Sequence, residues 1–98
     1  MFVHNVLFTL SGDKAAAGKA LIAGIEKHLR SVPGVKHLWT GKPLPAGRPV
    51  IDNDYDVALC VVFDDKAAHD IYQDHPHHLA FIRETGQNWQ KVRVVDFA

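Results

Sequence analysis

One segment, Asp56 to Phe63, limits the folds open to this chain, because its sequence DVALCVVF is apolar at nearly every position. A strand with this pattern is buried on both faces, whereas a half-buried strand alternates apolar and polar residues. The chain has 98 residues, so residues 1–98 are expected to form a single domain. A domain of this length buries only a modest share of its surface. A second subunit would help to cover a strand that is apolar on both faces.

The rest of the chain predicts an α+β fold. Apolar and polar residues alternate in the first segment, and apolar residues recur at helical spacing in the second, which Pro33-Gly34 ends. A proline-rich loop covers residues 43–55, and His75-Pro76 separates two short helices. The predicted elements are strands at Phe2–Leu10, Val35–Lys42, Asp56–Phe63 and Gln90–Phe97, and helices at Lys14–Val32, 65–74 and 76 to about 88.

This order is typical of a ferredoxin-like four-stranded antiparallel sheet with helices on one face. The other face would then carry a row of apolar side chains: Leu7, Ala58, Cys60, Val62, Val95 and Phe97. Leaving them in water loses many kcal/mol at roughly 25 cal/mol per Å². We therefore predict a homodimer with two sheets packed face to face. The alternative is that the strand registers differ slightly and this face is partly polar.

Composition excludes several classes of partner. Lysine plus arginine and aspartate plus glutamate each number 11, without a basic stripe, so nucleic acid is not expected to bind. The longest apolar run falls far short of the roughly 20 residues that span a membrane, and the first residues, MFVHNVLF, do not resemble a signal peptide. A single cysteine, Cys60, excludes an intrachain disulfide and suits a cytoplasmic location.

Several short motifs, in order along nearly the whole chain, resemble the stress-responsive dimeric A/B-barrel (Dabb) family. The most specific is the segment Tyr72-Gln73-Asp74-His75-Pro76-His77-His78, which looks like the family's Y-x-x-H-P-x-H motif. Weaker matches are His4-x-Val6-x-Phe8, Val32-Pro33-Gly34-Val35, Tyr55 to Leu59, and Val94-Val95-Asp96-Phe97. The resemblance implies a dimeric α+β barrel, and it implies little about activity.

Within that family, the chain is similar to plant polyketide cyclases of the olivetolic acid cyclase type. That similarity implies that Tyr72 and His78 are catalytic, with His4 in the first strand and Asp96 in the last strand beside them. The chain departs from those cyclases in the first helix, where aromatic residues line their alkyl pocket. Leu21, Ile22 and Ile25 stand at the matching positions here, so the substrate cannot be carried over.

The residues that the similarity picks out would suit an enolisation or aldol reaction without a cofactor, and they could equally bind a carbonyl-containing ligand without reaction. His78 would be the general base, oriented by Asp96, and Tyr72 would donate a hydrogen bond to the developing oxyanion. The ligand-binding residues predicted around them are His4, Leu21, Ile25, Leu59, Val61, His75, Phe81 and Trp89. The ligand would be a small carbonyl-containing or apolar molecule.

Simpler readings stand beside this one. Tyr72, His4 and His78 can be core residues, and His75-Pro76 can be a helix break with a cap. His28, His37 and His69 are expected at the surface, and the histidines at 69, 75, 77 and 78 match no strong zinc pattern, so no metal ligand is predicted. The alternatives to a lyase or cyclase are a non-catalytic ligand-binding dimer and a cofactor-free monooxygenase-like enzyme, the latter by fold analogy alone.

Overall fold

A computed structural model describes residues 1–98 and confirms the predicted α+β class. Four antiparallel strands form one sheet in the order β2-β3-β1-β4, which is the ferredoxin-like arrangement. None of the helices is long and apolar enough to cross a membrane. The elements are β1 (Phe2–Leu10), α1 (Lys14–His28), β2 (His37–Gly41), β3 (Val57–Phe63), α2 (Lys66–Asp74), α3 (Pro76–Thr85), a 3₁₀ turn (Gly86–Asn88) and β4 (Trp89–Phe97).

Side-chain caps begin the helices where the sequence suggested. Asp13 accepts a hydrogen bond from the backbone N–H of Ala16, and Asp65 accepts one from that of Ala68. The His75 ring accepts one from the backbone N–H of His77 at the start of α3. The predicted break between two short helices is therefore confirmed.

The ends of two helices differ from the prediction. Helix α1 ends at His28, one turn before Val32, because the residue before Pro33 is disfavoured in helical conformation and Gly34 adopts a φ of 97°. Val32 is nevertheless buried, in the turn after the helix. Its spacing from the other apolar residues therefore led to a predicted helix that was one turn too long. Helix α3 ends at Thr85, and residues 86–88 form the 3₁₀ turn.

Helix α3 buries Phe81 and Thr85 against the rest of the chain, whereas Leu79 and Ile82 on its other side are 47% and 40% exposed. Gly24 of α1 explains this orientation, because a Cβ at that position would lie 2.8 Å from Thr85 Cγ2. The two helices approach closely along the Phe81 and Thr85 side of α3.

Strand register divides the sheet into two faces. On one face, the helices cover the even-numbered residues of β1, and Val6, for example, pairs with Leu59 of β3 and Val94 of β4. The other face, which we call the open face, carries Leu7, Ala58, Cys60, Val62, Val95 and Phe97 as predicted, and also Trp39. Trp39, Val95 and Phe97 are 54–56% exposed. The chain's own helices leave this apolar face bare.

The loop between β2 and β3 is attached to the edge of the sheet at β4. The Arg93 guanidinium pairs with the Asp52 carboxylate and donates a hydrogen bond to the backbone carbonyl of Asp54. The hydrogen bond from Arg93 lowers the pKa of the Asp52 carboxyl to about 2. Because Arg93 pairs with Leu7 in the sheet, it belongs to the open face, so the loop is fastened on that side of β4.

Candidate functional site

A pocket of about 150 Å³ lies between α3 and the helix-covered face of the sheet. A dry apolar cavity of similar volume can hold benzene, so this pocket has room for a small ring or a short chain. Its polar lining comes from His4, Tyr72, Gln73 and His78. Its apolar walls include Val6, Phe8, Leu59, Phe81 and Trp89.

The pocket reaches solvent at the β4 edge of the sheet. Val92, Val94 and Ile82 line it and are 39%, 51% and 40% exposed, because the helices do not extend over β4. An apolar ligand would therefore enter between α3 and β4. No residue of the 43–55 loop lines the pocket, and the loop's anchor on Arg93 lies on the opposite face of β4.

Tyr72 of α2 is buried, with 1% of its surface exposed. Its ring packs at 5.0 Å from the Phe63 ring and 4.8 Å from the His78 ring, measured between centroids. Burial raises the pKa of the Tyr72 phenol well above its usual value, because the phenolate would be poorly solvated. Tyr72 therefore presents a neutral O–H, which is a hydrogen-bond donor.

His78 of α3 completes a tyrosine–histidine pair at the polar end of the pocket. Its Nδ1 atom is buried and has no hydrogen-bond partner within the protein. Burial lowers the pKa of the His78 imidazole, and the neighbouring His4 lowers it further. His78 is therefore a neutral imidazole at pH 7, able to accept a proton.

His4 and Asp96 are partners across β1 and β4, and their side chains join at 2.6 Å between His4 Nδ1 and Asp96 Oδ1. Burial lowers the pKa of the His4 imidazole, and the opposing influence of Asp96 does not outweigh it. The prediction that Asp96 orients His78 is wrong in this respect, because the carboxylate is bound to His4. The pairing of β1 with β4 places Asp96 directly opposite His4, whereas His78 lies on α3, outside the sheet.

His69 was expected at the surface and is instead buried, with 8% of its surface exposed. Its ring stacks on Phe2 at 4.4 Å and lies 4.7 Å from the His4 ring. Its Nε2 atom is 2.8 Å from the Gln73 amide nitrogen, and its Nδ1 atom is buried without a hydrogen-bond partner. The burial of His69 could have been predicted from spacing alone, because His69 lies three residues before Tyr72 and shares its face of the helix.

The structure gathers some of the predicted site residues and separates others. His4, Leu59, Tyr72, His78, Phe81 and Trp89 line one pocket. Leu21, Ile25 and Val61 belong to the buried core instead and do not line it. His75 is the cap of α3 and lies outside the pocket, as do the neighbouring His77 and the Cys60 thiol on the open face. Burial raises the pKa of that thiol, which argues against a nucleophile.

The histidines at 69, 75, 77 and 78 do not converge as a group of ligands. The group that does converge is His4, His69 and Asp96, whose ligand atoms lie within 4.8 Å of one another. Two of its members were singled out from the sequence, and His69 was missed. The polar end of the pocket thus has two parts: the Tyr72–His78 pair, and the His4, His69 and Asp96 group beside it.

Solved structures with the same fold come from several organisms. A Dabb family protein with a ferredoxin-like fold from Mesorhizobium loti is 29% identical, with a TM-score of 0.80, and the match covers 99% of this chain and 94% of that one. A dimeric ferredoxin-like protein of unknown function from Thermobifida fusca is 23% identical, with a TM-score of 0.81 and coverage of 99% and 89%. The Arabidopsis thaliana protein At3g17210 is 21% identical, with a TM-score of 0.84 and coverage of 100% and 94%.

Sequence comparison gives the family directly. No curated protein matches the chain in sequence. The family model of the stress responsive A/B barrel domain, Dabb, matches residues 2–98, which is nearly the full length and includes the pocket residues on β1, α2, α3 and β4. The chain therefore belongs to the Dabb family of stress-responsive A/B barrel domains.

Proposed function

We propose that this protein is a homodimer in which each subunit binds a small, mostly apolar carbonyl compound and promotes its enolisation, as a lyase or cyclase does. The observation that carries the proposal is the Tyr72–His78 pair, two neutral rings 4.8 Å apart at the polar end of an otherwise apolar pocket. A neutral phenol and a neutral imidazole are the donor and the base that enolisation needs.

The dimer is proposed from the open face. Its apolar side chains include two aromatic residues, Trp39 and Phe97, each more than half exposed in the single chain. Aromatic residues are enriched in the cores of protein interfaces, where they contribute much of the binding energy. The similar proteins from Thermobifida fusca, Bacteroides fragilis and Jannaschia are described as dimeric, which supports the same assembly here.

The reaction step uses only groups that line the pocket. His78 takes a proton from the carbon next to the carbonyl, and the electron pair of the broken C–H bond forms the C=C bond of an enolate. The carbonyl oxygen becomes negatively charged and accepts a hydrogen bond from Tyr72. In a linear polyketone, the enolate carbon then attacks a second carbonyl group to close a ring, and the His78 imidazolium returns its proton to the new alkoxide. This is the aldol chemistry implied by the resemblance to plant polyketide cyclases.

The test measures ring closure of short linear β-polyketones by the wild type and by Tyr72→Phe and His78→Gln. Each variant is expected to lose at least about 100-fold in turnover, in keeping with the usual contribution of general acid–base groups. Tyr55→Phe and His77→Gln are matched controls, because these residues lie outside the pocket, and they should keep full turnover. Sedimentation of each variant verifies that the dimer is intact.

Two outcomes favour the alternative functions. Binding that quenches Trp89 fluorescence, without turnover of any polyketone, indicates a non-catalytic ligand-binding dimer. Consumption of oxygen during turnover indicates monooxygenase chemistry. Unchanged turnover in both Tyr72→Phe and His78→Gln contradicts the proposed roles of these two residues.

A further inference from the structure

We propose that His4, His69 and Asp96 form a binding site for one divalent transition-metal ion of the Zn²⁺ class. Each residue offers a ligand atom, and the three atoms lie within 4.8 Å of one another. Both histidines are more than nine-tenths buried, so this is not a chance grouping of surface side chains. Tyr72 and His78 are not ligands, so the inference does not depend on the proposed enolisation.

The three ligands come from three elements that the fold holds in place. His4 and Asp96 face each other across paired strands, and α2 brings His69 down on the same side of the sheet. The His69 ring is fixed by stacking on Phe2 at 4.4 Å. A preformed arrangement of this kind lowers the cost of ordering ligands around an ion.

The unpaired nitrogen of His69 is the second observation that points to an ion. Its Nδ1 atom is buried without a hydrogen-bond partner, and Oδ1 of Asp70, at 3.4 Å, does not supply one. Buried polar atoms are nearly always paired in folded proteins. Its other nitrogen, Nε2, lies 2.8 Å from the Gln73 amide nitrogen, which donates to it. Metal-binding histidines commonly donate their other N–H to an acceptor, and a half-turn of the Gln73 amide would place its oxygen there for that role.

The donor set selects the class of ion. Two imidazole nitrogens and one carboxylate suit Zn²⁺, Co²⁺ and Fe²⁺, whereas Mg²⁺ and Ca²⁺ prefer sites made of oxygen atoms. Three protein ligands leave a coordination position open. His4 is the one ligand of the three that also lines the pocket.

Metal binding requires a small adjustment of Asp96. His4 Nδ1 and Asp96 Oδ1 are 2.6 Å apart, whereas two ligands on a tetrahedral Zn²⁺ ion at about 2.0–2.1 Å are separated by about 3.3 Å. The Asp96 side chain is 35% exposed near the end of β4, so it can rotate to this distance.

The experiment titrates Zn²⁺ into the chelator-treated full chain by calorimetry and Co²⁺ by visible absorption. One ion per chain is expected, with the absorption of four-coordinate Co²⁺. His69→Leu and Asp96→Asn should each weaken binding at least 100-fold, since even groups that only orient a ligand contribute about 10–100-fold. The double variant His75→Gln/His77→Gln is the matched control for surface histidines and should bind as the wild type does.

Thermal unfolding gives a second readout, which distinguishes a variant that folds poorly from one that has lost a metal-coordinating side chain. An ion that binds only the folded chain raises its melting temperature, so Zn²⁺ should raise it for the wild type and the control but not for His69→Leu. Equal Zn²⁺ affinity of His69→Leu and wild type overturns the proposal, as does loss of binding in the His75→Gln/His77→Gln variant. Tyr72→Phe should bind Zn²⁺ fully, so failure of the enolisation test leaves this test unaffected.

Discussion

Replacing Phe97 with alanine should dissociate the proposed dimer. Phe97 lies on the open face and is 54% exposed in the single chain. An aromatic side chain buries about 200 Å², so about 100 Å² remains for a partner to cover, which is about 2.5 kcal/mol at 25 cal/mol per Å². A two-fold symmetric dimer loses this contribution twice, so the limit is about 5 kcal/mol.

These free energies translate into a measurable change in the dissociation constant. The constant should rise by about 60-fold if half of the available burial is realised and by about 4,000-fold if all of it is. Sedimentation equilibrium over a wide range of protein concentration measures it directly. Far-ultraviolet circular dichroism of the dissociated variant is expected to remain that of a folded α+β chain, because Phe97 is not part of the buried core.

Ile71→Ala provides the matched control. Ile71 is 63% exposed on α2, in the helix layer rather than on the open face. Its removal should leave the dissociation constant unchanged. Dimerisation through the open face is refuted if Phe97→Ala and wild type share one dissociation constant, if Ile71→Ala dissociates the dimer equally, or if the wild type is monomeric at micromolar concentration.

Two other predictions concern the packing of the helices and of Tyr72. Gly24→Ala should lower the free energy of unfolding by about 1–2 kcal/mol, because the added methyl group meets Thr85 Cγ2 and overpacking outweighs the gain in helix propensity. Adding Thr85→Ser removes that carbon, so urea unfolding of the double variant should show recovered stability; a Gly24→Ala variant more stable than wild type contradicts the close packing. Since burial raises the pKa of Tyr72, the unfolded chain loses its phenolic proton above about pH 10 while the folded chain keeps it, and stability falls as pH rises. Urea unfolding between pH 8 and 11 should show less of this loss in Tyr72→Phe, and parallel loss in both proteins would contradict the assignment.

The pocket and the three-ligand group share His4, which connects the two proposals chemically. An ion on His4 would place positive charge at the pocket wall, close to where a carbonyl oxygen of the ligand accepts a hydrogen bond from Tyr72. The His4 and Tyr72 rings are 6.1 Å apart. Ligand affinity measured with and without Zn²⁺ therefore reports whether the two parts act on the same molecule.

Part of the candidate site was predictable because it depends on short motifs. The pairing of Tyr72 with His78 was implied by the resemblance of the segment around His75-Pro76 to the polyketide cyclases, and the structure brings the two rings together. The partner of Asp96 was not predictable in this way. Residues 4 and 96 lie at opposite ends of the chain, and only the β1–β4 register shows that they are neighbours.

The amino-acid sequence determined the strands, the helix starts and the apolar character of both sheet faces, because these depend on periodicity and capping within a few residues. The tertiary structure decided which histidine Asp96 binds, and that Leu21, Ile25 and Val61 lie in the core rather than at the pocket. Those outcomes depend on how α2 and α3 are rotated against the sheet and on the register of strands distant in sequence. Local patterns do not encode either quantity, since both are set by packing among all the elements together.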